Sequence, residues 1–190
     1  FLQNRKRLFE NSFARTSRCY RFENCFGDFE NRIAVGLVGH GSECFGFDDQ
    51  TSRDHDFETG FCLWLTKEDE EKIGFYLMRA YDKLKAEYAL KNGVGNARSS
   101  VESSAFKGVF TIGDFFRRYT GSDGAPTTWQ EWLYTDSFYF AEATNGEVFR
   151  DDLGEFTKIR NEILHGMPED VRIKKIGSCA LRAAQSGQYN

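Results

Sequence analysis

The chain has 190 residues, with 25 Lys or Arg against 29 Asp or Glu, for a net charge of −4. That balance exerts no general pull on nucleic acid or on a membrane surface, so a nucleic-acid partner would need a local basic patch. Apolar residues make up 40%, 19 positions are Phe and only 2 are Pro, which argues against disorder and for one good-sized core.

Residues 1–30 mix Arg, Asn and aromatics. The spacing of Leu8, Phe9 and Phe13 predicts a helix packed on the domain. An apolar run, Ile33-Ala34-Val35-Gly36-Leu37-Val38, predicts a first strand over 32–38. The glycine-rich stretch Gly39-His40-Gly41-Ser42-Glu43-Cys44-Phe45-Gly46 follows as a tight turn and short helix. A second strand is predicted over 54–65, bent at Glu58-Thr59-Gly60. Thr66 caps a helix that runs through Ile73, Leu77, Tyr81 and Leu84 to about Leu90, and Gly93 ends it.

Gly108-Val109-Phe110-Thr111-Ile112 predicts a third strand, and Gly113-Asp114 opens a helix that Gly121 stops. Trp129 to Leu133 and Phe138 to Thr144 are read as helices, the second despite its aromatic alternation. Glu147-Val148-Phe149-Arg150 is a last short strand. Thr157 to Leu164 is helical, and Pro168-Glu169-Asp170 starts a final helix that ends at Gly187. The order implies an α+β fold, a small mixed sheet flanked by helices.

The chemistry concentrates between the first two strands. Glycine lets a backbone approach a ligand closely and take positive φ. N–H groups after such a turn suit a phosphate, and the Ser42 hydroxyl adds a hydrogen-bonding group. On a strand, Asp54 and Asp56 share one face. Two adjacent carboxylates repel unless a cation lies between them, and Mg²⁺ is commonly held by one or two carboxylates plus substrate phosphates. His55 alternates away from the pair, and Asp48 and Asp49 read as turn residues. His40 is close enough to reach a phosphate, although a turn-stabilising role is commoner.

This stretch resembles the signature of the DNA polymerase beta-like nucleotidyltransferase superfamily, in particular an uncharacterised bacterial branch. Gly41-Ser42 match its first part, residues 43–53 its spacer, and Asp54, Asp56 and Phe57 its second part. The chain departs from the pattern at Cys44, where Ala is usual, at Arg53, which adds a residue before the first acid, and at His55. Asn145-Gly146-Glu147 and Pro168-Glu169-Asp170-Val171 extend the likeness.

The resemblance implies a nucleotidyltransferase-like domain over 1–164. The start of a C-terminal helical region, expected to be truncated, would occupy 165–190. It implies transfer of a nucleoside monophosphate from an NTP to an acceptor hydroxyl. Mg²⁺, or Mn²⁺ in its place, would sit on Asp54 and Asp56, and Gly41 and Ser42 would bind the nucleotide. A small-molecule acceptor is favoured over a protein or RNA. A third carboxylate completes such sites. The strand over 108–112 carries none, which leaves Glu147 as the expected base and Asp151 behind it. The alternative is a catalytically degenerate nucleotide-binding or interaction module.

Five cysteines in no C-x-x-C pattern suit free thiols in a reducing, cytoplasmic setting. No apolar run approaches the roughly 20 residues of a membrane span. No signal-peptide pattern is visible. The chain opens on Phe1 rather than Met, so a trimmed start is expected.

Overall fold

The structure, a computed structural model, describes residues 26–47, 60–92 and 106–187. The expected helix around Leu8–Phe13 and the acids Asp54 and Asp56 lie outside the described residues. A 3₁₀ turn, Gly27–Arg32, leads into strand β1, Ala34–Leu37. A second 3₁₀ turn, Ser42–Cys44, follows, and strand β2 is Cys62–Leu65. Helix α1 has three consecutive pieces: an α-helical turn Lys67–Asp69, a π-helical turn Glu70–Gly74 and an α-helix Phe75–Asn92. Strand β3, Val109–Thr111, runs directly into helix α2, Ile112–Thr120. Helices α3, Trp129–Tyr134, and α4, Ser137–Thr144, precede strand β4, Glu147–Arg150. Helices α5, Glu155–His165, and α6, Glu169–Gly187, complete the order.

The four strands form one mixed sheet in the order β3-β2-β1-β4. β1 pairs antiparallel with both β2 and β4, and β2 pairs parallel with β3. The two central strands are buried at every position, as their unbroken apolar runs require. On one face Ala34, Val38, Cys62 and Trp64 pack against Phe115, Phe116, Phe140 and Phe156 of the later helices. Trp64 stacks on Phe156 with ring centroids 3.9 Å apart. On the other face Val35, Leu63 and Leu65 meet Ile73, Leu77 and Tyr81 of α1. The sheet is thus the middle layer, with helices on both sides.

The helix starts follow their capping chemistry. The side chains of Thr66, Thr111 and Thr128 each accept from the backbone N–H three residues on, and Thr128 with Glu131 makes a full capping box. Residues 138–144 are helical, with Asp136 capping the start. Two strands are shorter than expected. β2 begins at Cys62 because the Tyr81 hydroxyl takes over the backbone of Phe61, donating to its O at 2.8 Å and lying 3.2 Å from its N. β1 stops at Leu37 because Gly39 turns the chain at φ +115°.

At the C-terminal end, Val171 of α6 and Met167 before it join the larger core. Lys175 donates to the carbonyl of Thr135 at 2.6 Å and lies over the Phe140 ring. That lysine secures the α3–α4 corner, and burial pushes its ammonium down. No helix among the described residues is long and apolar enough to cross a membrane.

Candidate functional site

The turn after β1 is built from glycine geometry and is held from several sides. Gly39, Gly41 and Gly46 all have positive φ. Asn145, at the end of α4, clamps Gly39 twice: its Oδ1 accepts from the Gly39 N–H at 2.8 Å and its Nδ2 donates to the Gly39 carbonyl at 2.8 Å. A Cβ on Gly39 would meet the Tyr119 hydroxyl at 2.7 Å. Burial, with Glu142 nearby, pushes that hydroxyl up, while a hydrogen bond with the His40 backbone pulls the other way.

Beneath the turn lies a buried charge pair. Glu43 and Lys107 are both 4% exposed, and their charged groups lie 3.4 Å apart. Lys107 Nζ also donates to the His40 carbonyl at 2.9 Å and to Cys44 Sγ at 3.1 Å. Burial works against the Lys107 ammonium, but Cys44, Cys62 and Glu43 outweigh it and the group is raised overall. The Glu43 carboxylate fills the space that a Cβ on Gly41 would occupy, at 2.3 Å. A Cβ on Gly41 would thus displace the end of the Glu43 side chain from Lys107, in addition to the backbone strain at φ +116°.

The N–H groups of Gly41 and Ser42 and the Ser42 hydroxyl have no partner among the described residues, and Ser42 is exposed. The Ser42 carbonyl accepts from the N–H groups of Phe45 and Phe47, at 3.1 and 3.0 Å, which closes the loop on itself. Phe45 stacks on Phe138 of α4 at 6.2 Å between centroids.

His40 directly precedes Gly41, and its side chain is 48% exposed. Its Nδ1 lies 2.7 Å from Oε1 of Glu142, a buried carboxylate of α4, and its ring packs on Phe106 at 4.6 Å. Glu142 was not singled out by the sequence. A lone Glu inside an aromatic helix gives no motif, and only the fold brings it to a residue 102 positions away.

Of the expected site residues, Gly41 and Ser42 form the turn, while Asp54 and Asp56 lie outside the described residues. Glu147 lies on β4, opposite Leu37 of β1. It was expected on a strand next to the one carrying the two aspartates. In the sheet β4 joins β1 on the side away from β2, whose neighbours are β1 and β3. Asp151 is engaged by its own turn, accepting from the N–H groups of Gly154 and Thr157 at 3.1 and 2.7 Å. Among the described residues no three His, Cys, Asp or Glu side chains come together as a metal site.

Residues 132–190 match a family model described as "Domain of unknown function (DUF4037)". The matched span begins within α3 and takes in Glu147 as well as Glu142 and Asn145, but not the turn that the last two contact. No curated protein and no solved structure matches the chain.

Proposed function

We propose that the chain is a nucleotidyltransferase that moves a nucleoside monophosphate from an NTP to an acceptor hydroxyl. The observation that carries this reading is the turn at Gly41–Ser42. Its backbone N–H groups and hydroxyl have no partner among the described residues, while Asn145 and Lys107 tie down Gly39 and the His40 carbonyl beside them. A preorganised row of donors costs no reorganisation when phosphate charge arrives. The chain that follows supplies Asp54 and Asp56, whose spacing suits Mg²⁺. When bound, that ion would neutralise charge on the phosphates. An NTP would lay its phosphates on Gly41 and Ser42 with Asp54 and Asp56 holding the metal. The net charge of −4 favours a small-molecule acceptor over a long nucleic acid.

A second reading, nucleotide binding without turnover, is favoured by one observation. β3 carries no acid. Pyrophosphate release from each NTP with Mg²⁺ and a panel of hydroxyl acceptors separates the two. Transfer predicts pyrophosphate in amounts matching a nucleotidylated product, lost in Asp54→Asn with Asp56→Asn. Glu147→Gln tests the base: turnover should fall with nucleotide affinity kept. Unchanged turnover in that variant would remove Glu147 from the site.

A further inference from the structure

The His40–Glu142 pair is more than the turn needs to hold its shape. Asn145 already fixes Gly39 through two hydrogen bonds, and Lys107 fixes the His40 carbonyl. Glu142 is a carboxylate only 3% exposed, and burying such a group costs several kcal/mol unless it is paired. Its hydrogen-bonding partner is the ring of His40, whose side chain is 48% exposed. With Nδ1 occupied by Glu142, the ring's other nitrogen, Nε2, has no partner among the described residues. A carboxylate on one ring nitrogen fixes the orientation of the imidazole and the use of the other nitrogen. The ring is also braced from the side by Phe106. It therefore stands in one orientation, one residue before the open N–H groups of Gly41 and Ser42.

We propose that His40 is a phosphate-contacting residue and Glu142 the residue that positions it. This rests on the nucleotidyl-transfer reading for the identity of the ligand. The ring bridges two anions: Nδ1–H donates to Glu142 and Nε2–H donates to the terminal phosphates of an NTP seated on the same turn. In the transfer step the acceptor oxygen forms a bond to the α-phosphorus. The bond from that phosphorus to the bridging oxygen breaks, and its electron pair leaves with pyrophosphate. The acceptor's proton passes to the general base and from it to solvent, and Nε2–H stays on the leaving group, where negative charge develops. The placement on the phosphate turn assigns His40 to the leaving-group end of the reaction rather than to the acceptor.

Calorimetric titration of the full chain with ATP, AMP and inorganic pyrophosphate tests the assignment in wild type, His40→Asn, Glu142→Gln and the double variant. His40→Asn should weaken ATP and pyrophosphate about tenfold or more and leave AMP unchanged, as loss of a charged hydrogen bond implies. Glu142→Gln should act in the same direction, and the double variant should be no weaker than His40→Asn alone. His40→Lys, which restores a cationic donor, should recover part of the ATP affinity. A purely structural role predicts that ATP and AMP weaken together, and that result overturns the proposal. Wild-type affinity for ATP and pyrophosphate in His40→Asn, or no binding of either by wild type, overturns it as well. If wild type transfers nucleotide while His40→Asn binds normally, this inference falls and the transfer reading survives. If binding depends on His40 but no pyrophosphate is ever released, the transfer reading falls and the His40 assignment stands.

Discussion

Lys107 holds the Gly41–Ser42 turn more directly than any glycine in it. One ammonium ties together the Glu43 carboxylate, the His40 carbonyl and the Cys44 sulfur. Removing one member of a buried pair leaves the other charge without compensation. Glu43→Gln should therefore cost about 3–5 kcal/mol of stability, read from urea unfolding. Glu43→Gln combined with Lys107→Met should recover most of it, because no buried cation remains. A single variant as stable as wild type would mean that Lys107 is balanced by other groups. None of this was legible in the sequence, where Lys107 is 67 residues from His40 and belongs to no motif. The glycines and Ser42 were legible because positive φ and open hydroxyls have a residue signature. Charge pairs made across the fold have none.

At the level of elements, the meeting of β1 with β4 depends on two glycines. A Cβ on Gly36 would stand 2.6 Å from the Glu147 carbonyl, and one on Gly146 would stand 1.9 Å from the Leu37 carbonyl. Gly146 also has φ +62°, so Ala there meets both backbone strain and overlap. Gly154 offers the control, with φ +73° and open space around its Cβ position. Gly154→Ala should cost only the left-handed backbone penalty, about 1–2 kcal/mol. Gly146→Ala adds overpacking of about 1–3 kcal/mol to that, and its thermal midpoint should fall further. Equal midpoints for the two variants would contradict the close approach. Helix termini were readable from Thr66, Gly121 and Pro168, because capping is local chemistry. The ends of β1 and β2 were not, since the Tyr81 hydroxyl and the turn at Gly39 decide them.

For the whole molecule, element order and the α+β class followed from apolar periodicity, whereas strand order did not. Only the sheet itself shows that β4 adds to the edge of β1 opposite β2. Nothing in a four-residue strand states which edge it joins. The same layering controls the cysteines. Cys62 is fully buried between the sheet and the later helices, and burial pushes its thiol up to about 11. In the window from about 9 to 11 the unfolded thiol has lost its proton and the folded one keeps it, so this group's contribution to stability falls as pH rises. Cys179 is exposed and Cys44 is buried. Alkylation of the native protein near pH 8, mapped by peptide mass, should label Cys179 well before Cys62 or Cys44. Early labelling of Cys62 would show that the core layer opens more readily than its packing implies.

The central claim is that Gly41 and Ser42 seat the phosphates of an NTP whose metal is held by Asp54 and Asp56. Calorimetric titration with each NTP, with and without Mg²⁺, addresses it most directly. Wild type should bind at least one NTP more tightly with Mg²⁺ than without. Ser42→Ala should weaken that binding by about 1.5–3 kcal/mol. Gly41→Val should weaken it more, and Asp54→Asn with Asp56→Asn should remove the Mg²⁺-dependent part while the domain stays folded. Failure of every NTP to bind wild type, or equal Mg²⁺-dependent affinity in all four proteins, would contradict the account.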